Sequence, residues 1–259
     1  YWKDAAIAEI KGKFLTNKAW TYVDKVPPGR KAMKGKWTFE ISYNEDGTVN
    51  RFKARWVGCG YSQIAGVDFA ETYASTLSSA SLRCLLASIT ALDLEVEEGD
   101  TVRAFSNVSI GEHELYVEIP HGFPVPGKVA CKLNKALEGT KQAAALYFAA
   151  SAECITGLGY TRSMIEPNIY SKTVNGTTVR LAVYVDNILS LYPKTTVGRE
   201  LNEEFWTGFS KTFNIKRLGE PRIFMGIEIA RARSEGKLTI TQTKYIEKMV
   251  DTFLTSSTT

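Results

Sequence analysis

The 259-residue chain contains no long uncharged apolar run. A membrane-spanning helix needs roughly 18 or more such residues in a row, so we expect no membrane partner. The first residues lack the charged-then-apolar pattern of a signal peptide, and no methionine opens the chain. We therefore expect an intracellular protein of the cytoplasm or nucleus, and a piece of a longer product.

Cysteine and histidine are scarce and scattered. The chain has four cysteines and two histidines, and no C-x-x-C pair. These spacings disfavour a zinc site, and a chain of this length seldom depends on disulfides. We expect reduced and mostly buried thiols. The net charge of +4 permits a phosphate-bearing partner without requiring one.

Helices and hairpins interleave along the chain without a regular beta-alpha-beta rhythm. This pattern predicts an α+β fold with an antiparallel sheet. Apolar spacing predicts helices over residues 2–16, 78–93, 143–155, 198–213 and 244–253. Alternation and turn residues predict hairpins at 36–57 around Asn44–Gly47 and at 169–191 around Asn175-Gly176, and strands at 222–231 and 237–241.

Two aspartates occupy unusual surroundings. Asp100 follows an alternating segment, and Asp186 lies within the apolar run Leu181–Leu191, which is typical of a buried central hairpin. Burying a carboxylate without a partner is costly. A divalent metal, a neighbouring Lys or Arg, or exposure of Asp186 in a turn would each remove that cost. The residues alone leave the three interpretations open.

Three cations recur at every second position of a predicted strand. Arg51, Lys53 and Arg55 would therefore project from one face of the strand. Such a stripe is either a solvated strand face or a surface that binds phosphate groups. The residues alone favour the solvated face.

Short motifs follow one another along nearly the whole chain in an order that resembles the reverse transcriptase of copia-type LTR retrotransposons. Each motif is weak alone, but the ordered set is specific. The motifs are Asn17–Trp20, Pro28–Lys31, Lys36-Trp37, Asp46-Gly47, Arg51–Arg55, Gly60–Gln63, Gly66–Phe69, Glu71-Thr72, Ser81–Arg83, Asp100 with Ala104-Phe105, Tyr116–Glu118, Pro120, Gly122-Phe123, Leu133–Leu137, Lys141-Gln142, Tyr184–Asp186 and Phe224–Ile229.

The resemblance implies a right-hand polymerase fold, with a palm made of an antiparallel sheet plus helices. Fingers would occupy mainly residues 1–77, and the palm, with inserted fingers segments, residues 78–230. The start of a thumb or connection would occupy 231–259. The implied partners are an RNA template, a DNA primer and deoxynucleoside triphosphates, with protein partners in a larger assembly.

The same resemblance implies the site. Asp100, Asp186 and Asn187 would be catalytic, and Asp100 and Asp186 would bind Mg²⁺ or Mn²⁺ in a two-metal nucleotidyl transfer.

Further residues would meet the substrates. The incoming nucleotide would contact the cationic stripe Arg51, Lys53 and Arg55, the sugar-stacking Phe105, and Gln142. The segment Phe224, Met225 and Gly226 would position the primer end.

The chain departs from the family pattern at several of these positions. Asn187 stands where the family has a second aspartate, and an amide carries no charge. Ser106-Asn107 and the segment Glu138–Leu146 also differ from the family. Two functions follow: an RNA-directed DNA polymerase with impaired catalysis, or an inactive, domesticated descendant that serves nucleic-acid binding or protein assembly and needs no cofactor.

Overall fold

A computed structural model describes residues 1–44 and 48–254 of the chain. Its α-helices are α1 Trp2–Ile10, α2 Ser79–Ala91, α3 Ala143–Gly157, α4 Thr196–Ser210 and α5 Thr243–Phe253. Its strands are β1 Trp20–Val23, β2 Gly35–Tyr43, β3 Val49–Gly58, β4 Glu95–Thr101, β5 Tyr116–Val117, β6 Ala130–Leu133, β7 Thr161–Arg162, β8 Ile169–Val174, β9 Thr177–Tyr184, β10 Asn187–Tyr192, β11 Ile215–Gly219, β12 Ile223–Phe224, β13 Ile227–Ala232 and β14 Lys237–Thr241. Within the described residues, none of the helices has the length and apolarity to cross a bilayer.

The chain divides into two compact units, each made of two segments. The first unit comprises residues 1–74 and 103–153, and the second comprises 75–102 and 154–259. One of the divisions falls within α3. The assignment of fingers, palm and thumb to particular residues stays a prediction.

The first unit contains a three-stranded sheet in the order β1-β6-β5 and the long hairpin β2-β3. Its core holds Trp20, Trp56, Cys131 and Leu133. Helix α1 packs on the hairpin, where the Trp2 ring meets two phenylalanine rings edge-on. The hairpin was predicted from its alternation, but residues 45–47 of its predicted turn lie outside the described residues.

The second unit contains an antiparallel six-stranded sheet in the order β11-β4-β10-β9-β8-β7. Helix α2 packs on the face of the sheet that carries Val96, Leu189 and Leu191. Trp206 of α4 lies over Gly99, which belongs to the other face of β4. These interleaved helices and antiparallel strands confirm the predicted α+β class.

Local chemistry explains several boundaries. The Ser78 hydroxyl accepts a hydrogen bond from the Ser81 amide and so begins α2, as the serines there predicted. Asn175 and Gly176 both have positive φ, of 49° and 75°, which is the twist that a two-residue hairpin turn needs.

Two predicted elements were wrong in detail. The strand predicted over 222–231 is broken by Met225 and Gly226, whose positive φ angles of 52° and 73° turn β12 back into β13. The helix predicted over 2–16 ends at Ile10 and continues as wider π-helical turns over Lys11–Thr16. The wider turns accompany the burial of Lys13, which pairs with Glu9.

Candidate metal centre

A two-residue turn in the second unit brings the two unusual aspartates together. Val185 and Asp186 connect β9 to β10, and Val185 has a φ of 53°. Asn187 then pairs directly with Asp100 on β4. The Thr101 amide donates a 2.8 Å hydrogen bond to the Asp186 carbonyl oxygen. Residues far apart in sequence therefore meet at one end of neighbouring central strands.

Asp100, Asp186 and Asn187 are all half-buried. The Asn187 amide nitrogen donates to the Asp186 carboxylate over 3.3 Å. Asp186 forms no salt bridge within the part of the chain that the structure describes, whereas Val185 beside it is exposed. Of the three interpretations left open by the sequence, pairing of Asp186 with Lys or Arg therefore has no support in the structure.

A further carboxyl lies on the same face of β4. Glu98 precedes Asp100 by two residues, and side chains two apart on a strand project from the same face. Glu98 is only 9% exposed. Burial raises the pKa of its carboxyl to about 7, and the charge of Asp100 adds to the rise. Sequence analysis missed Glu98, although Leu94, Val96 and Glu98 alternate and place an acid on an apolar face.

A cation flanks the aspartate from the opposite side. Lys216 on β11 pairs directly with Asp100, so both side chains project from one face of the sheet. Lys216 is exposed. Its neighbour Arg217 projects from the other face, where it donates to Glu97 over 2.6 Å. The sequence offered no signal for Lys216, because the strand that carries it was not predicted.

The donors at this end of the sheet suit a hard divalent cation. Asp100 and Asp186 offer carboxylate oxygens and Asn187 an amide oxygen, which are donor types that Mg²⁺ accepts. Among the described residues, no group of three Asp, Glu, His or Cys side chains could hold one ion. The fit is one of donor type, because the site offers two carboxylates and one neutral amide.

The hairpin β12-β13 belongs to the same unit and reaches the same strands. Phe224 is 2% exposed and packs in the core with Leu189. Its ring centroid lies 6.3 Å from that of Tyr184, which pairs with Asn187. The segment Phe224, Met225 and Gly226 is thereby held beside the end of β9.

The remaining predicted residues belong to the first unit. Arg51, Lys53 and Arg55 project from the face of β3 opposite the one that α1 covers, as their period predicted. The stripe is partly neutralised, because Arg55 pairs with Glu40 over 3.4 Å and both side chains are more than half exposed.

Phe105 and Gln142 differ in how far their side chains are exposed to a substrate. Phe105 is half-buried, with its ring centroid 6.0 Å from that of Tyr147. Gln142 is 2% exposed. Its amide nitrogen donates to the Asp68 carbonyl over 3.0 Å, and its amide oxygen accepts from Gln63 over 3.1 Å. Both ends of the Gln142 amide are thus engaged in fixing the loop that carries Gln63 and Asp68.

Most of the chain is similar to known proteins. A family model described as reverse transcriptase (RNA-dependent DNA polymerase) matches residues 17–259. The chain is 34% identical over 234 residues to the retrovirus-related Pol polyprotein from transposon TNT 1-94 of Nicotiana tabacum, covering 88% of the chain and 17% of that protein. It is 30% identical over 248 residues to the corresponding polyprotein from transposon RE1 of Arabidopsis thaliana, covering 95% of the chain and 16% of that protein.

The chain therefore spans about a sixth of the length of these curated relatives. A solved structure of the foamy viral protease-reverse transcriptase in complex with double-stranded DNA aligns with 95% of this chain and 36% of its own. The sequence identity is 14% and the TM-score 0.45.

Proposed function

Because the chain belongs to the copia-type reverse transcriptase (RNA-dependent DNA polymerase) family, we propose that it is the nucleotidyl-transfer domain of a retrotransposon Pol polyprotein. It would add deoxynucleotides to a DNA primer on an RNA template. The observation that carries this proposal is the pairing of Asn187 with Asp100, together with the hydrogen bond from the Thr101 amide to the Asp186 carbonyl.

Asp100 and Asp186 would hold the divalent cation, with the Asn187 oxygen as a weaker donor. When bound, Mg²⁺ or Mn²⁺ supplies Lewis-acid chemistry, which favours ionisation of a primer 3′-hydroxyl and stabilises charge on a departing pyrophosphate. Lys216 pairs with Asp100 and adds a positive charge on the same face of the sheet. That charge would favour a phosphate-bearing substrate over a neutral one.

Substrate contacts would come from the predicted residues of the first unit. Arg51, Lys53 and Arg55 form a cationic face suited to a triphosphate. Phe105, backed by Tyr147, would stack on the sugar of the incoming nucleotide. Gln142 would lie near that nucleotide and act through the loop it fixes, because both ends of its amide are engaged.

The neutral side chain of Asn187 favours a second candidate. An inactive descendant would retain nucleic-acid binding through its cationic face while its palm carboxylates did no chemistry. Binding by phosphate contacts weakens steeply as salt rises. Salt-dependent affinity without primer extension would therefore identify this second function.

A primer-extension assay separates the two candidates. We expect the unaltered chain to extend a DNA primer on an RNA template slowly, with Mn²⁺ more effective than Mg²⁺. Asn187→Asp restores a carboxylate and should raise the rate about tenfold or more. Asp186→Asn in the same background should abolish extension. Absence of extension in both the unaltered chain and Asn187→Asp, with folding intact, would overturn the polymerase proposal and leave the binding module.

A further inference from the structure

The segment that carries Phe105 begins with a residue in a strained conformation. Arg103 has a φ of 51° and a ψ of 49°, a left-handed conformation that residues other than glycine seldom adopt. The short helical turn Ala104–Asn107 follows at once. The Arg103 carbonyl accepts hydrogen bonds from the Ser106 amide over 2.9 Å and from the Asn107 side chain over 3.2 Å. Such a residue persists only where its surroundings hold it in place.

Residues near the start of the first unit hold Arg103 and the turn that follows it. The Arg103 Nε donates to the Glu9 carboxylate over 3.4 Å, and Glu9 is buried. The Arg103 guanidinium also lies against Gly12, at the place that a β-carbon on Gly12 would occupy. The Asn17 amide nitrogen donates to the Ser106 carbonyl over 3.3 Å. We call Glu9, Gly12 and Asn17 the N-terminal clamp.

The N-terminal clamp contacts the chain on both sides of Phe105. It reaches Arg103 two residues before the ring and Ser106 one residue after it, and Ser106 is 0% exposed. The position of a side chain follows its backbone, so these contacts fix where the Phe105 ring stands. A ring stacked on a deoxyribose rejects a ribose only if it stands close enough to exclude the 2′-hydroxyl. A misplacement of about 1 Å can change a rate about 100-fold.

We propose that the N-terminal clamp, acting through Arg103, positions Phe105 and thereby sets the preference of this chain for deoxynucleotides over ribonucleotides. Glu9, Gly12, Asn17 and Arg103 are thus positioning residues, which hold the backbone and leave the contact with the sugar to Phe105. The inference rests on the proposed function, from which it takes the stacking of the incoming nucleotide on Phe105. It adds residues 9 and 12, which precede the family match at residue 17.

Nucleotide binding without chemistry tests the proposal. The whole chain is bound to an RNA template and a DNA primer that ends in a dideoxynucleotide, so that no new bond can form. The dissociation constants of the next correct ribonucleoside and deoxyribonucleoside triphosphates are measured with Mn²⁺, and their ratio is the sugar preference. We expect Arg103→Ala to lower this ratio about tenfold. Lys132→Ala, which breaks a surface ion pair with Glu114 in the same unit, is the control and should leave the ratio unchanged.

Gly12→Ala separates displacement of the Arg103 side chain from loss of its charge. The added β-carbon would overlap the guanidinium and push it aside, while every charge remains. The sugar preference should therefore fall about as far as in Arg103→Ala. In the double variant the methyl group enters the space that the guanidinium has left, so the preference should fall no further than in Arg103→Ala alone. Gly157→Ala, whose β-carbon meets nothing within 4 Å, is the matched glycine control.

A sugar preference that is unchanged in folded Arg103→Ala and Gly12→Ala would overturn the proposal. An unaltered chain that binds the two nucleotides equally would overturn it as well, and so would losses that add in the double variant. If Arg103→Ala does not fold, Asn17→Ala replaces it. That variant removes the hydrogen bond to the Ser106 carbonyl and should also lower the preference, and an unchanged preference there would count against the N-terminal clamp.

The two proposals fail in different experiments. A sugar preference that depends on Arg103, without primer extension in any variant, would retain the N-terminal clamp and reject the polymerase. Primer extension that depends on Asp186, with a sugar preference indifferent to Arg103 and Gly12, would do the reverse.

Discussion

Each of the two units buries charged side chains, and among residues 1–44 and 48–254 the first unit pairs all of its buried charges while the second does not. In the first unit Lys13, which is 0% exposed, lies 2.9 Å from Glu9 and 2.6 Å from Glu138. It also donates to the Trp56 carbonyl over 2.9 Å. In the second unit Glu98 is buried with no partner along the described chain. A paired buried ion contributes to packing, whereas burial of Glu98 without a pair opposes ionisation of its carboxyl.

The ion cluster of the first unit extends beyond the residues that the family model matches. Glu9 and Lys13 precede residue 17, where the family model begins to match. Glu9 also pairs with Arg103, two residues before Phe105. The π-helical turns Lys11–Thr16 place Lys13 within this cluster. The segment before the family match is therefore integral to the first unit.

The largest expected effect is on primer extension and comes from a change at Asp186 in the second unit. Asp186→Asn removes one of two carboxylates from the metal centre, and we expect primer extension to fall at least about 100-fold. Asp24→Asn, an exposed acid of the first unit, should leave the rate unchanged. Equal rates in the two variants would show that the turn carrying Asp186 has no part in catalysis.

Breaking the paired cluster should cost stability. Lys13→Met leaves Glu9 and Glu138 without their shared cation, and we expect the free energy of unfolding to fall by about 3–5 kcal/mol. Lys11→Met, on the exposed side of the same segment, is the control and should change it by less than about 0.5 kcal/mol. Denaturant titration measures both. A Lys13 variant as stable as its control would show that the cluster is not structural.

Close packing of α4 against Gly99 fixes β4 in place. A β-carbon on Gly99 would lie 2.6 Å from the Trp206 ring, so Gly99→Ala must displace α4 or the strand. We expect a loss of about 1–3 kcal/mol in unfolding free energy. Gly157→Ala, whose β-carbon meets nothing within 4 Å, serves as the control and should not destabilise. Thermal melts of the two variants should diverge accordingly.

Glu98→Gln should change stability in the opposite direction from Lys13→Met. Because the pKa of Glu98 in the folded chain is about 7, above its ordinary 4.5, the folded state favours the protonated carboxyl. The stabilisation that protonated Glu98 gives the folded chain is fully present below pH 4.5 and is lost as the pH rises through 7. Without divalent cations, Glu98→Gln should thus gain about 1–2 kcal/mol over the unaltered chain at pH 8 and little at pH 4.5. Melting temperatures of the two proteins measured from pH 4.5 to pH 8 test this prediction. A difference between them that did not grow with pH would refute it.

The smallest expected effect concerns the cationic stripe. Arg51 is exposed on β3, and Arg51→Ala should reduce the slope of log affinity for an RNA–DNA duplex against log salt by about 1. Lys25→Ala removes an exposed cation outside the stripe and should leave the slope unchanged. Equal slopes for the two variants would show that the stripe is a solvated strand face that does not bind phosphate groups.

The sequence predicted the elements whose signals are local. The Asn175-Gly176 turn, the serine cap of α2 and the apolar run around Asp186 all follow from neighbouring residues. The pairing of Asp100 with Asn187 was expected only through family resemblance, because no local pattern specifies which strands become neighbours. Lys216 and the pairing of Lys13 with Glu138 were missed for the same reason: each depends on contacts between distant segments.

Diffraction from crystals grown with Mn²⁺ tests the metal centre most directly. We expect anomalous density between the Asp100 and Asp186 carboxylates. Density elsewhere on the molecule, or carboxylates at positions 100 and 186 that face away from each other in the presence of saturating Mn²⁺, would contradict a polymerase centre at this end of the sheet.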